Sequence, residues 1–251
     1  MLPHTSAAPD DDELSMLERQ QLNLNAPAAH TFWHWVRFAL VVDAARSRTA
    51  NEIFDIGAGS GMLGDWMDSE APDLRYRFSE LSETLDEALV EQFGDDARYP
   101  SNATVPPTTM ISMLDVLEHI EDDSSAIGEI AGRMEPGATI VVTVPAMQWA
   151  FSSWDTELGH YRRYSRRQLA EVLSGAGLRV ESSQYLFPEL LILLPFRKLR
   201  RGQRSDVDFP QLSPVMSRIG YWISSTTARF RRWWPLGTSV IAVASKPISD
   251  G

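Results

Sequence analysis

The chain of 251 residues contains no cysteine, which excludes disulfides, thiolate metal ligands and a cysteine nucleophile. It also lacks a run of about 18 apolar residues, the length that a membrane-spanning helix requires. The N-terminus shows no basic-then-apolar signal pattern. Because 43% of the residues are hydrophobic, the chain can form a substantial core. We therefore expect a globular, cytoplasmic protein.

Basic residues are scarce in the first part of the chain. Residues 1–160 contain 8 arginines and 28 acidic residues, a net charge of −20, whereas residues 161–251 contain 15 basic and 6 acidic residues, a net charge of +9; together they give the −11 of the whole chain. A basic last third is typical of contact with an anionic substrate, a membrane surface or an acidic partner. Mutual neutralisation of the two parts within the fold explains the asymmetry equally well.

The composition divides the chain into segments. Residues 1–13 are predicted to be a flexible tail, residues 14–48 an N-terminal helical cap, and residues 49–251 the main domain, with a helical insertion at 186–236. In this insertion apolar blocks alternate with arginine-rich blocks. Such a segment suits peripheral contact with a membrane interface, at the inner face of the membrane for a cytoplasmic protein, but a lid or a dimer surface has the same composition.

Short apolar strands alternate with helices along the main domain, which predicts a parallel sheet covered by helices on both faces. The fold class is therefore α/β, with a Rossmann-like, doubly wound sheet of seven strands that is mostly parallel. Ser165 and Gln168 form a predicted capping box at the start of one helix. The predicted strands are 52–56, 75–78, 98–99, 110–114, 139–145, 179–185 and 239–245.

A glycine-rich loop follows the first predicted strand. Gly57, Gly59 and Gly61 permit positive φ and close approach of a ligand to the backbone, and the helix that begins at Met62 directs its free N–H groups towards an anion. A dinucleotide fingerprint starting at Gly57 would require glycine or alanine at position 62. The loop therefore indicates a different cofactor with an anionic group.

The loop and three later segments together carry a family resemblance. Phe54-Asp55-Ile56 followed by G-x-G-x-G resembles motif I of the class I S-adenosylmethionine-dependent methyltransferases, and Glu80, 19 residues after Gly61, matches the acidic residue that accepts hydrogen bonds from both ribose hydroxyls. Residues 114–122 and 134–142 resemble segments of the methyltransferases of ubiquinone and menaquinone biosynthesis (methyltransferase types 11 and 12). The resemblance extends from about residue 32 to 246.

The resemblance implies S-adenosyl-L-methionine as cofactor and an antiparallel last strand. Two departures lie around residues 95–110: Ser101-Asn102-Ala103 stands where the family commonly has Gly-Asp-Ala, and Thr108-Thr109-Met110 replaces Phe-Asp. Asn102 can take the place of the aspartate at the adenine edge, because an amide both donates and accepts hydrogen bonds. The implied cofactor-binding residues are Asp55, Gly57, Ala58, Gly59, Gly61, Glu80, Leu81, Asn102, Asp115 and Val116.

Two histidines are the candidate catalytic residues. Transfer of a methyl group depends mainly on alignment of nucleophile and sulfonium, but an oxygen nucleophile also needs a base, and histidine has a suitable pKa. His119 follows the fourth predicted strand and His160 follows the fifth; a structural role is the alternative for His119. No cluster with metal-ligand spacing is apparent, and we expect no metal.

The polar segment after His160 is expected to contact the acceptor, since so many charged and aromatic residues are costly to bury. Arg162 or Arg163 would pair with a phosphate or carboxylate; a solvated loop that pairs with the acidic part of the chain is the alternative. Trp33 is a further candidate, although an aromatic run at helical spacing is also typical of core. The candidate substrate-binding residues are Trp33, Tyr161, Arg162, Arg163 and Tyr164.

The sequence thus favours a biosynthetic methyltransferase that acts on the oxygen of an amphipathic or anionic small molecule, such as a lipid, a quinone, a glycan precursor or another natural product. Two alternatives remain open: an S-adenosylmethionine-binding tailoring enzyme with non-methylating chemistry, and a membrane-associated binding protein. Nucleic acid is not expected as a partner, because the Asn-Pro-Pro-Tyr type of tetrapeptide is replaced by Asp115-Val116-Leu117-Glu118. A homo-oligomer is compatible with the insertion.

Overall fold

The computed structural model describes Gln21, residues 32–193 and residues 213–248. The predicted tail, residues 14–20 and 22–31 of the predicted cap, and the middle of the insertion lie outside the described residues. Within them the chain forms seven α-helices and six strands, with short 3₁₀ turns between. The elements in chain order are α1 (Phe32–Ser47), β1 (Glu52–Ile56), α2 (Met62–Glu70), β2 (Arg75–Ser79), α3 (Glu83–Phe93), β3 (Thr109–Leu114), α4 (Asp123–Arg133), β4 (Thr139–Pro145), α5 (Ser153–Glu157), α6 (Arg166–Gly175), β5 (Arg179–Leu186), α7 (Pro214–Arg229) and β6 (Ser239–Ser245).

The six strands form one sheet in the order β2-β1-β3-β4-β6-β5. β1 to β4 pair in parallel, whereas β6 is antiparallel to both β4 and β5. The chain order reverses between β1 and β3, which creates a crevice at the carboxyl ends of these strands, the place where ligands bind in open α/β sheets. The predicted mostly parallel sheet with an antiparallel last strand is confirmed.

The predicted count of seven strands is wrong, because residues 98–99 do not form a strand. Arg98 makes only an isolated parallel bridge with Phe78, supported by a hydrogen bond from Tyr99 N to Phe78 O at 2.7 Å. A 3₁₀ turn, Asp95–Ala97, precedes the bridge, and Pro100, which has no N–H to donate, follows it. The segment is therefore too short to extend the sheet beyond β2.

The apolar core lies on both faces of the sheet. Successive strand residues point to opposite faces, so Phe54, Ile111 and Ile140 belong to the cluster beside α4 and α6, whereas their neighbours Ile53 and Val141 belong to the cluster beside α1 and α2. The predicted capping box is present at α6, where Ser165 Oγ accepts from Gln168 N at 3.2 Å and Gln168 Oε1 accepts from Ser165 N at 2.9 Å. None of the described helices has the length and apolar character that crossing a bilayer demands.

Candidate active site

The glycine loop lies where expected, between β1 and the start of α2. Gly57, Gly59 and Gly61 have φ values of +69°, +57° and +75°, a region that L-residues rarely adopt. Space is restricted as well, because a Cβ on Gly57 would be 2.7 Å from Val116 Cγ2, and a Cβ on Gly59 would be 2.7 Å from Gln21 Oε1. Both φ and close packing therefore require glycine in this loop.

Asp55 lies at the end of β1 beneath the loop and is buried. Its carboxylate accepts hydrogen bonds from Ser112 Oγ at 2.7 Å and from the Tyr76 hydroxyl at 3.3 Å. Burial raises the pKa of Asp55 to about 7, although the two hydrogen bonds oppose that shift. Its side chain ties β1 to β2 and β3, so it supports the glycine loop from below.

Glu80 follows β2 directly and faces the glycine loop. One carboxylate oxygen accepts from Gly59 N at 2.8 Å, and the other accepts from Leu81 N at 2.7 Å and Ser82 N at 3.0 Å. Leu81 is 99% exposed, an unusual position for a leucine between two structured elements. On the other side of the loop, Ser60 N donates to Gln21 Oε1 at 3.3 Å.

These features fit S-adenosylmethionine. The loop and the start of α2 present backbone N–H groups to a carboxylate, and Glu80 can accept hydrogen bonds from a pair of ribose hydroxyls. Leu81 offers an uncovered apolar side chain beside Glu80, which suits the face of a planar adenine. Val116 lies over Gly57, and Ala58 of the loop packs against the small apolar cluster of Phe78, Leu89 and Ala97.

Asn102, the expected adenine contact, lies in an exposed turn after the Phe78–Arg98 bridge. Ala103 N donates to Pro100 O at 3.1 Å, and the Arg133 guanidinium donates to the carbonyls of both residues, each at 3.1 Å. The turn is thus held from α4, and the amide of Asn102 remains at the surface.

Asp115, at the end of β3, adopts a left-handed conformation with φ +54°. Its carboxylate contacts Arg37 Nη1 at 2.8 Å and accepts from Thr143 Oγ1 at 3.2 Å. Arg37 is buried on α1 and also donates to Ser239 Oγ at 2.7 Å. Arg37 therefore connects the N-terminal helix to the carboxyl end of the sheet, a role that was not predicted from the sequence.

The two candidate catalytic histidines lie against each other. The ring centroids of His119 and His160 are 4.6 Å apart with the planes at 86°. His119 ends the 3₁₀ turn Leu117–His119, and its N donates to Val116 O at 3.0 Å, so the pair is adjacent to the residue that covers Gly57. Burial, together with His160, lowers the pKa of His119 to about 4, which leaves His119 uncharged at neutral pH.

A buried aspartate orients His160. The Asp155 carboxylate, at the start of α5, accepts from His160 Nδ1 at 3.2 Å and from Arg163 Nε at 2.7 Å. Burial by itself would raise the pKa of Asp155, but the hydrogen bond from His160 and the charge of Arg163 outweigh it and lower the pKa to about 2. An ionised Asp155 can only accept, so His160 Nδ1 carries a proton, and the neutral form of this imidazole has its lone pair on Nε2.

The segment after His160 is more buried than its composition predicts. Arg163 pairs with Asp155, and Tyr164 lies in the core with its hydroxyl donating to Asp123 Oδ2 at 2.7 Å. The expectation that the segment is too polar to bury is wrong for these two residues, because aspartates on α4 and α5 satisfy their polar groups. Arg162 pairs with Asp123 at 2.8 Å, while Tyr161 is half exposed.

The remaining candidate, Trp33, lies half-buried on α1. Its ring contacts Phe32 edge-on at a centroid distance of 5.1 Å and is tilted against His34 at 6.0 Å. It belongs to the packing between α1 and its neighbours.

Glu118 is a further residue of the site whose position sequence reasoning did not reveal. It is buried next to His119, and Tyr161 N donates to its carbonyl at 2.8 Å. Burial and the nearby Asp115 raise the pKa of its carboxyl well above the usual range. Its adjacency to His119 was the only available signal, since His160 is 42 residues after Glu118 in the chain.

Comparison with known proteins agrees with this architecture. Residues 31–183 match the family model described as "Methyltransferase domain". No curated protein matches the chain. Among solved structures, a Haloferax volcanii methyltransferase in complex with the activator Trm112 is similar with a TM-score of 0.57 and 14% identity, over 93% of this chain and 96% of that one.

Two further structures share the fold over only part of their own length. A Haemonchus contortus phosphoethanolamine N-methyltransferase 2 in complex with S-adenosyl-L-methionine has a TM-score of 0.53 and 15% identity, over 91% of this chain and 60% of that one. An O-methyltransferase family protein from Burkholderia thailandensis has a TM-score of 0.54 and 13% identity, over 90% of this chain and 59% of that one. The family match covers more than half of the sequence, so the chain belongs to the methyltransferase-domain family and is an S-adenosylmethionine-dependent methyltransferase.

Proposed function

We propose that the enzyme methylates an oxygen atom of an amphipathic small molecule. The observation that carries this proposal is the contact between His119 and His160 beside the turn that covers the glycine loop. Hydroxyl nucleophiles must lose a proton as they attack the methyl group, whereas neutral amines attack with a free lone pair. Imidazole nitrogens next to the cofactor loop provide lone pairs for that task.

The hydrogen bond between His160 and Asp155 supports the same assignment. A buried carboxylate on Nδ1 fixes the tautomer and stabilises the imidazolium that forms when Nε2 takes up a proton. In the metal-free protein, His160 Nε2 is the group placed to act as the base. Arg163 holds Asp155 in place, and Tyr161 at the rim is exposed enough to touch an acceptor.

Methyl transfer to hydroxyl-bearing acceptors tests this proposal. The purified enzyme is incubated with S-adenosylmethionine and a panel of phenols, catechols, hydroxy lipids and glycosides, and products are identified by mass spectrometry. We expect a methyl ether and one equivalent of S-adenosylhomocysteine. His160→Gln should reduce kcat at least a hundredfold with cofactor affinity unchanged, while His34→Gln on α1 serves as the matched control. Methylation of nitrogen or carbon, or no S-adenosylhomocysteine across the panel, would refute the assignment.

The surface of α7 supports an acceptor that resides in a lipid interface. Trp222 is 77% exposed and Trp233, just after the helix, is 72% exposed, with Val215, Ile219 and Ile223 also open to solvent. Residues 213–236 contain four arginines and no acidic residue. Exposed tryptophans beside arginines suit shallow insertion into an anionic membrane surface.

This surface is linked to the active site through α1. Tyr221 on α7 packs edge-on against Trp35 with centroids 6.2 Å apart, and Arg37 on the same α1 helix contacts Asp115. We therefore infer peripheral membrane contact by α7, whose closeness to the catalytic end of the sheet would give access to a lipid acceptor.

Co-sedimentation with vesicles tests the membrane contact. We expect binding to phosphatidylglycerol vesicles that weakens with salt, little binding to phosphatidylcholine, and loss of binding in Trp222→Ser/Trp233→Ser. Trp149→Ser, at another exposed tryptophan, is the control. Equal binding of the double variant and the wild type would rule out α7 as the contact.

A further inference from the structure

Three side chains that can bind a metal converge at the end of β3. Glu118, His119 and His160 each offer one ligand atom, and these atoms all lie within 4.8 Å of one another. Glu118 and His119 share the short turn after β3, and the hydrogen bond from Tyr161 N to Glu118 O at 2.8 Å brings the loop of His160 against that turn. The cluster is thus a product of the fold.

The Glu118 carboxylate is the feature that the base mechanism leaves unexplained. The residue is 1% exposed, and its Oε2 has no hydrogen-bond partner within the described residues. A buried polar atom without a hydrogen-bond partner is costly, and a bound cation is one way in which proteins satisfy such an atom. A cation between Glu118 and the two imidazoles would satisfy this oxygen.

The surroundings of the two histidines match those of metal ligands. His160 donates from Nδ1 to the buried Asp155, which leaves Nε2 as the coordinating atom, and Arg163 in turn fixes Asp155. Carboxylate partners of this kind orient histidine ligands in metal sites. The Nδ1 atom of His119 lies close to Gly159, since a Cβ added to Gly159 would be 3.8 Å from that nitrogen.

We propose that Glu118, His119 and His160 bind a divalent transition-metal ion, such as zinc, manganese or cobalt, at which the acceptor's hydroxyl coordinates. Two imidazole nitrogens and one carboxylate oxygen favour such ions over calcium or magnesium. Three protein ligands leave coordination positions open, as catalytic metal sites do. In a tetrahedral site with metal–ligand bonds of about 2.1 Å, the ligand atoms lie about 3.4 Å apart. The three ligand atoms here lie within 4.8 Å of one another, so side-chain rotations that bring them closer by about 1.4 Å or less complete the site.

This inference rests on the proposed O-methylation and names what holds the acceptor. Coordination lowers the pKa of a bound hydroxyl, whose proton leaves to solvent. The oxygen then forms a bond to the methyl carbon as the carbon–sulfur bond breaks. The electron pair of the carbon–sulfur bond passes to sulfur, which becomes the neutral thioether of S-adenosylhomocysteine. Both imidazoles are ligands in this arrangement, and the cation takes the place of the base.

Cobalt binding tests the site without reference to activity. The full-length protein is freed of metal with a chelator, dialysed and titrated with Co²⁺, followed by visible d–d absorption and calorimetry. We expect one equivalent per chain, with affinity reduced at least tenfold in His160→Gln and in Glu118→Gln, and unchanged in His34→Gln. Circular dichroism confirms that each variant is folded. Absence of one-to-one binding by the folded wild type, or an affinity in the two site variants equal to that of the wild type, would overturn the proposal.

Activity measurements separate this inference from the function on which it rests. A methyl ether formed at an undiminished rate in excess chelator would overturn the metal site and leave O-methylation by a histidine base intact. Stoichiometric metal binding that is lost in the variants, without any O-methylated product, would overturn the proposed function and leave the metal site. Loss of activity on chelation with recovery on Zn²⁺, Mn²⁺ or Co²⁺ would support both.

Discussion

Gly57→Ala should damage both the stability of the enzyme and its affinity for S-adenosylmethionine. Gly57 has φ +69°, and an L-residue in this conformation costs about 1–2 kcal/mol. The added Cβ would be 2.7 Å from Val116 Cγ2 and 3.0 Å from Val116 Cγ1. Overpacking of this kind typically costs about 1–3 kcal/mol, so the two effects together lower the free energy of unfolding by about 2–5 kcal/mol.

A second substitution separates the two contributions. In Gly57→Ala/Val116→Ala the Cγ atoms that would meet the new Cβ are absent, so the overpacking is relieved while the cost of positive φ persists. The double-mutant cycle should therefore show a favourable coupling of about 1–3 kcal/mol. Urea denaturation measures the free energies of unfolding, and calorimetric titration with S-adenosylmethionine measures affinity.

Gly128 on α4 provides the matched control. An ideal Cβ on Gly128 meets nothing within 4 Å, and the residue is helical, so Gly128→Ala should stabilise the protein by about 0.5–1 kcal/mol. A Gly57→Ala variant as stable as Gly128→Ala, with unchanged cofactor affinity, would refute the reasoning about the loop.

Three further predictions concern carboxylates of the site. Glu80→Ala should reduce S-adenosylmethionine affinity at least tenfold in calorimetric titration, because the two ribose hydroxyls lose their acceptor, whereas the exposed Glu83→Ala should leave affinity unchanged. Asp55 has its pKa raised from 3.8 to about 7, so the folded state loses stability as pH rises from about 4 to 7; Asp55→Asn should abolish that loss in urea denaturation, and an identical pH profile would contradict it. Asp155, with its pKa lowered to about 2, stabilises the fold above about pH 4 and loses this contribution as the pH falls towards 2. Asp155→Asn should lower the free energy of unfolding by about 3–5 kcal/mol at pH 7, because Arg163 is left without its buried partner. A smaller loss than in the surface variant Glu171→Gln would contradict this.

Local patterns were sufficient for most of the fold. Strands β1, β4 and β6 begin and end at the predicted residues, and the capping box of α6 forms as predicted. These features depend on residues close together in the chain. The error at residues 98–99 arose because a strand needs successive hydrogen bonds to its neighbour, and Pro100 has no N–H to donate the next one.

The active site was predictable only where it follows strand ends. The glycine loop and Glu80 come directly after β1 and β2, so their meeting follows from a parallel sheet. By contrast, the burial of Arg163 depends on Asp155, and the approach of His160 to Glu118 depends on a loop contact made by Tyr161. Arg37, 78 residues before Asp115, gave no local signal of its role. Such pairings depend on tertiary packing, which spacing along the sequence does not encode.

Calorimetric titration of the folded enzyme with S-adenosylmethionine, alongside Gly57→Ala and Glu80→Ala, tests the central claim most directly. We predict one site per chain in the wild type, with affinity reduced at least tenfold in each variant. Absence of binding to the folded wild type, or equal affinity in all three proteins, would contradict the assignment of the cofactor to the glycine loop and Glu80.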